Sequence, residues 1–280
     1  MKTILVPIDF SDNAQKALMV AAKIAAHTES KLEIIHINTA VAYAPPLPEY
    51  YAVDQIDMTE YNDTASKELI KLKQEVNAVS GLEKVDIETR VEAGFLYATL
   101  NSAATERKAW LIVMGTKGAQ GAVEFFVGSN TEKVIRTAPC PVLAVPEAAG
   151  EFDLKKVVVA STLRPEQNDV FYKLAEWQQY YPFAVQLLYL NNPAGFEEKT
   201  HIEQAVKEMS DMANLQNVTP FVDVNTFDET SSILQFAIDQ QADLIVMGTH
   251  QRQGLSHLLF GSLTEDTANH SQTPVLSIPV

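Results

Sequence analysis

Leu111-Ile112-Val113-Met114-Gly115-Thr116 and Leu244-Ile245-Val246-Met247-Gly248-Thr249 are the same six residues in the same order, 133 positions apart. Four apolar residues running into Gly-Thr read as a strand buried on both faces that ends in a turn. The offset holds further along. Gly128-Ser129 followed by Thr131-Glu132 returns as Gly261-Ser262 followed by Thr264-Glu265, and Pro141-Val142-Leu143 returns as Pro274-Val275-Leu276. One spacing kept across three blocks marks an internal duplication. Nearer the front of each copy the offset is 153, pairing Ile4-Leu5-Val6 with Val157-Val158-Val159 and Leu32 to His36 with Val185 to Tyr189. The second copy is therefore 20 residues shorter. The loss falls after its second strand, where the first copy has the Pro- and Tyr-rich stretch Tyr43 to Tyr61 and the second has only Asn191 to Glu198.

Within the first copy, short apolar runs alternate with helical periodicity. The pattern predicts a strand at 3–8 and a helix from Asp12 to about His27, with Ala14, Ala17, Leu18, Ala21 and Ala25 on one face. A strand at 32–37, a helix near 62–79, a strand near 85–91, a helix near 96–107, a strand at 110–114, a helix from 129 and a strand at 141–145 complete the unit. Continuous apolar strands joined by helical crossovers imply a parallel sheet covered on both faces with right-handed connections. The expected domains are 1–146 and 154–280, joined by the small and acidic residues from Pro146 to Asp153. Ligands of such sheets sit beyond the carboxyl ends of the strands, which directs attention to the loops after strands 1, 2 and 4.

Composition narrows the function classes. With 46% apolar and 20% charged residues the chain is globular in character, and 280 residues suit two units of about 140. No apolar run approaches the roughly 20 residues needed to cross a bilayer, and Met1 to Pro7 moves straight into a strand-like segment, so a cytoplasmic protein is expected. The single cysteine, Cys140, sits between two prolines beside an apolar run and reads as structural. A net charge of −15 disfavours nucleic acid and anionic membranes as partners. The charge is uneven: residues 1–146 carry 14 Lys+Arg against 18 Asp+Glu, and residues 147–280 carry 7 against 18. The second half is the poorer host for an anion.

The loop after strand 4 reads Gly115-Thr116-Lys117-Gly118, then nine residues, then Gly128-Ser129 opening a helix. Glycines permit close backbone approach, so a series of N–H groups can turn towards an oxyanion, and a helix amino terminus adds free donors and a positive dipole. Together they can hold a polyphosphate. No Gly-Lys-Ser/Thr closes the loop and no Gly-x-Gly-x-x-Gly follows strand 1, so neither a P-loop nor a dinucleotide fingerprint is present.

The Gly-x2-Gly-x9-Gly-Ser pattern resembles that of the ATP-binding members of the universal stress protein family. So do Val6-Pro7-Ile8-Asp9-Phe10-Ser11 at the end of strand 1, His36-Ile37 at the end of strand 2, and the closing Cys140-Pro141-Val142-Leu143-Ala144-Val145-Pro146. The resemblance implies an adenine nucleotide alpha hydrolase-like α/β fold: two repeated doubly wound domains, each with a five-stranded, mainly parallel sheet flanked by helices. It also implies ATP, with Mg2+, as the ligand. By that similarity Pro7, Asp9 and Ile37 would border the adenosine, Met114 and Gly115 would lie under it, and Gly118, Gly128, Ser129, Asn130 and Thr131 would surround the phosphates. The second copy departs from the pattern, with Gln251 at the second glycine and Thr162 at the strand-1 aspartate, so ATP is not expected there.

Plainer readings stand beside these. Ser129-Asn130-Thr131-Glu132 and Ser262-Leu263-Thr264-Glu265 are capping boxes that need no ligand. Asp9 is either a ligand contact or an acid at a helix start, and Lys117 either screens phosphate or is a solvated loop lysine. His250 and His257 share a helical spacing, yet nothing completes a zinc pattern around them. Tyr43, Tyr50, Tyr51 and Tyr61 form a lid, a partner surface or packing over the sheet, and Trp110 and Trp177 are core or interface residues. No nucleophile, base and orienter are assembled, so no catalytic residue is assigned.

The expected function is an ATP-binding regulatory protein with, at most, slow hydrolysis, in which nucleotide changes how an unidentified protein partner is engaged. Its stress-response role comes from the resemblance alone. The alternative is an ATP-dependent enzyme processing a small molecule on the same scaffold. A third reading makes the second copy a built-in partner: each copy ends in an apolar strand, Pro141 to Val145 and Pro274 to Pro279, and pairing these edges would make a pseudo-dimer. A further homodimer is left open by the sequence.

Overall fold

The computed structural model describes residues 1–39, 58–116, 130–191, 196–224, 228–250 and 263–280. They fall into two compact units, Met1–Met114 with Ala138–Cys140, and Gly115–Thr137 with Pro141–Val280.

Unit 1 contains β1 (Thr3–Pro7), α1 (Asp12–Thr28), β2 (Lys31–Asn38), α2 (Met58–Asn77), β3 (Ile87–Ala93), α3 (Leu96–Glu106) and most of β4 (Leu111–Thr116). Its strands run in the order β3-β2-β1-β4, all parallel. Ile4, Leu5, Leu32, Ile34, Ile35 and Leu111 to Val113 are fully buried. Each such aliphatic side chain contributes about 1.5–3 kcal/mol on burial, which is why these runs become central strands. Helix α1 starts where Ser11 leaves extended backbone and its Oγ accepts from Ala14 N at 3.3 Å, and it stops at Glu29 in the left-handed conformation. Its buried alanines let it lie close to the sheet.

Two elements differ most from the sequence expectation. Helix α2 begins at Met58 rather than 62 and ends at Asn77. Periodicity registers only its buried face, Ala65, Leu69, Leu72 and Val76, and Val79 lies exposed beyond its end. Strand β3 starts at Ile87 rather than 85, because Leu82 and Val85 are buried in the preceding turn, where Val85 N donates to Leu82 O. Glu33 on β2 is buried with Arg90 Nε and Arg107 Nε each 2.8 Å from its Oε1. Burial pushes its carboxyl pKa up against the pull of both guanidinium groups.

Unit 2 contains α4 (Asn130–Thr137), β5 (Val142–Pro146), β6 (Lys156–Ala160), α5 (Asn168–Gln178), β7 (Ala184–Asn191), α6 (Lys199–Ala213), β8 (Val218–Val224), α7 (Glu229–Asp239), β9 (Leu244–Thr249), α8 (Leu263–His270) and β10 (Val275–Pro279). The strand order is β5-β10-β9-β6-β7-β8. Every pair is parallel except β5 with β10, which pair antiparallel as Val142↔Ser277, Leu143↔Leu276 and Ala144↔Val275. Leu143 and Leu276 are the same position in the two copies, so this ladder is two-fold symmetric about them. Beside it, Arg136 of α4 forks onto Glu265 of α8, with Nε to Oε1 at 3.2 Å and Nη2 to Oε2 at 2.6 Å, while Asn269 of α8 donates to Glu132 of α4. Arg136 and Asn269 are repeat counterparts, as are Glu132 and Glu265. Residue i meets j, and j meets i, as in an isologous interface. The repeat in the sequence closes at Pro146, whereas by contacts the last helix and strand of the first copy belong with the second.

Trp110 is buried in unit 1 with Lys2 Nζ 4.3 Å from its ring centre, and Trp177 is buried in unit 2. Cys140 is buried. Among the described residues no helix is long and apolar enough to cross a membrane.

Candidate functional site

The carboxyl end of β1 is held in an unusual shape. Ile8 N donates to Ile35 O at 2.8 Å, continuing the ladder one residue past β1, and Phe10 then takes φ 64°. A bulky residue rarely adopts the left-handed region, and the surroundings must hold it there. They do so from below and from the side: His36 Nδ1 is 2.8 Å from Ile8 O, Gln15 Nε2 donates to Phe10 O, and the Phe10 and His36 rings lie 4.8 Å apart. The bond to a carbonyl requires His36 to carry its proton on Nδ1, which leaves Nε2 to accept from the Tyr61 hydroxyl at 3.0 Å. Tyr61 thus ties the start of α2 to this loop; Tyr43, Tyr50 and Tyr51 lie outside the described residues.

Asp9 stands exposed at the crest of the turn. Its Oδ1 accepts from both Ser11 N at 3.0 Å and Ser11 Oγ at 2.6 Å. The carboxylate is therefore oriented through one oxygen, while no bond to Oδ2 is made among the described residues. Both readings of Asp9 describe the same side chain, since it organises a helix start and presents an acceptor in a fixed direction.

Pro7, Ile37 and Met114 are buried at the ends of β1, β2 and β4. Strand β1 lies between the other two, so unit 1 brings Pro7, Asp9, Ile37 and Met114 to one edge of its sheet. Gly94 N donates to Asn38 O at 3.1 Å and fastens the β3 loop beside Ile37. Only glycine serves there, because φ is +145° and a Cβ would lie 2.6 Å from Thr99 Oγ1. Gly115, half-buried, and Asn130 and Thr131, exposed and buried respectively, belong to unit 2. Gly118, Gly128 and Ser129 lie outside the described residues, as do Lys117, Gln251 and His257.

Thr116, which the motif reading passed over, is buried, and its Oγ1 has no hydrogen-bond partner among the described residues. Its counterpart Thr249 is satisfied by Ser277 Oγ at 2.7 Å. The residue corresponding to Ser277 in the first copy is Ala144, so comparing the copies at these two positions would have revealed the difference.

The second copy repeats the scaffold and changes the chemistry. Leu163 has φ 55° where Phe10 has 64°, and Ser161 Oγ, at the position of Ile8, accepts from Leu163 N at 3.1 Å. Thr162 stands in the place of the carboxylate. Thr264 Oγ1 donates to Gly248 O at 3.4 Å. His250 Nε2 is 3.9 Å from Glu166 Oε1, and no group of three metal-ligating side chains occurs among the described residues.

A duplicated parallel α/β unit with shaped loops at the strand ends defines a tandem doubly wound protein. The profile of the Universal stress protein family matches residues 1–146 and 180–279, and the chain belongs to that family. It is similar to a Staphylococcus haemolyticus protein assigned to the universal stress proteins, with 35% identity over 145 residues, 51% of this chain and 84% of that one. A Staphylococcus epidermidis protein assigned likewise shares 32% over 169 residues, 60% of this chain and 98% of that one. The crystal structure of a universal stress protein from Archaeoglobus fulgidus superposes with TM-score 0.70 over 99% of this chain and 98% of that one, at 18% identity, a likeness of fold.

Proposed function

We propose that the chain binds one adenine nucleotide, ATP with Mg2+, in its amino-terminal half and acts as a stress-response regulator. The bound nucleotide favours one conformation and so alters how a protein partner is engaged. The observation that carries this reading is the Thr116 hydroxyl, which has no partner among the described residues. A buried hydroxyl left without a partner costs about 1–3 kcal/mol, and the otherwise matching second copy avoids that cost through Ser277. A polar ligand at the end of β4 accounts for an orphan on one side only.

The residues present fit such a ligand. Pro7, Asp9, Ile37 and Met114 supply an apolar edge with one oriented carboxylate, suited to a nucleoside that is flat on one side and hydroxylated on the other. Gly115, Gly118, Gly128, Ser129, Asn130 and Thr131 would hold the phosphates through backbone amides, hydroxyls and the amino terminus of α4. Mg-ATP supplies the negative charge that these donors neutralise. The carboxy-terminal half serves as a built-in partner through the β5–β10 ladder.

Thermal denaturation with Mg-ATP, Mg-ADP, Mg-GTP or no ligand tests the reading. Ligand at 100 times its dissociation constant adds about 2.7 kcal/mol to the native state. ATP is expected to raise Tm, and Gly118→Gln to abolish the rise while leaving the unliganded Tm nearly unchanged. An unaltered rise in that variant, or no rise in the wild type, would overturn the proposal.

A further inference from the structure

We propose that the carboxy-terminal half is closed to nucleotide by one of its own side chains, the carboxamide of Gln167, which occupies the place against Gly248 that a nucleoside would take against Gly115. This rests on the reading that the amino-terminal half holds its adenosine over Gly115. Gln167 is 4% exposed. A Cβ built on Gly248 would lie 2.6 Å from Gln167 Oε1, 2.8 Å from Nε2 and 3.0 Å from Cδ. The flat amide thus lies against the glycine where a Cβ would fit only if the amide shifted.

The course of the chain explains how Gln167 reaches this place. The loops after β1 and β6 begin alike, each with a left-handed residue, Phe10 or Leu163. They then diverge. In the first copy α1 starts at Asp12. In the second, the corresponding residues 165–167 form a 3-10 turn opened by Pro165, with Gln167 N donating to Arg164 O at 2.8 Å, and the α-helix waits until Asn168. Residue 167 corresponds to Ala14, whose side chain ends at Cβ. Beyond this point the helices agree again, with Ala17, Leu18 and Ile24 buried in one and Val170, Phe171 and Trp177 in the other. The difference between the halves is therefore local: Ala14, which ends at Cβ, stands in the first copy where a long side chain reaches the glycine of β9 in the second. The satisfied Thr249–Ser277 pair fits the same picture, since a half that receives no ligand must complete its own hydrogen bonds.

One nucleoside per chain follows. Equilibrium dialysis with radiolabelled adenosine tests this on the full chain, because adenosine avoids any repulsion of phosphate by the acidic second half. The wild type should bind one adenosine and Gln167→Ala two, whereas Gln167→Met, which keeps the bulk, should remain at one. Gln167→Ser is measured in parallel so that native circular dichroism is secured in at least one shortened variant. Two adenosines on the wild type, or no more on the shortened variants than on the wild type, would overturn the plug. A wild type that binds none while Gln167→Ala binds one would sink the amino-terminal reading and keep this one.

Discussion

Replacing Arg136 by leucine should destabilise unit 2 far more than its half-exposed position suggests. Glu265 is 2% exposed at its side chain and receives the guanidinium through two bonds, at 2.6 and 3.2 Å. Those bonds, before any other effect, hold the pKa of Arg136 above its ordinary value. Removing one member of a buried pair strands the other charge, at a cost of about 3–5 kcal/mol. Because Arg136 itself is 30% exposed, water reaches the arginine side of the pair, and the lower end, about 3 kcal/mol, is expected. Replacing both residues by leucine removes the buried charge and should recover part of the loss seen in Arg136→Leu. Urea unfolding of Arg136→Leu, Glu265→Leu and the double variant, in a Trp110→Phe background so that Trp177 fluorescence reports unit 2, measures the coupling. If the two single losses add to the double loss within about 0.5 kcal/mol, the pair is not coupled and the reasoning fails.

Gly248→Ala should displace the flexible end of Gln167 at a cost of about 1 kcal/mol, and that cost should vanish when Gln167 is already alanine; equal costs in the two backgrounds, by urea unfolding, would contradict the contact. The Tyr181 phenol, stacked on Trp177, is pushed up to about 12 by burial and then by the charge of Asp153. A native-state value above the ordinary value of about 10 means that its contribution to stability is whole below pH 10 and is lost as pH rises through 12. Tyr181→Phe should therefore flatten the alkaline decline of the urea midpoint across that window, and an unchanged slope would refute the assignment.

The strands were legible because a parallel sheet buries both faces and writes its members as unbroken apolar runs, as at Leu111 to Met114. Asp9, Ile37 and Met114 could be assigned to strand ends for another reason: each closes or follows an apolar run, and the ends of parallel strands are where ligands gather. What escaped the sequence depends on residues far apart in the chain. Arg136 and Glu265 are 129 positions apart, and each is an unremarkable charge until α4 and α8 meet. Gln167 reads as a polar residue at a helix start, and only the 3-10 turn at Pro165 turns it onto Gly248. Thr116 was hidden by identity, since the two copies share the threonine and differ in its neighbour on the last strand. The early start of α2 was invisible because Thr59, Glu60 and Tyr61 are exposed and offer a periodicity no buried face to register.

The paired contacts of α4 and α8 carry a consequence for how this chain can vary. Where two identical subunits meet across a two-fold axis, every substitution arrives twice, and a harmful one is doubled. Here the two sides are encoded separately, and one arginine has a counterpart that is asparagine. Each side can drift alone, trading a charge for an amide on one edge while its mirror image keeps the ion pair. Joining the copies in one chain thus frees the halves to specialise while the seam between the two end strands is conserved in form.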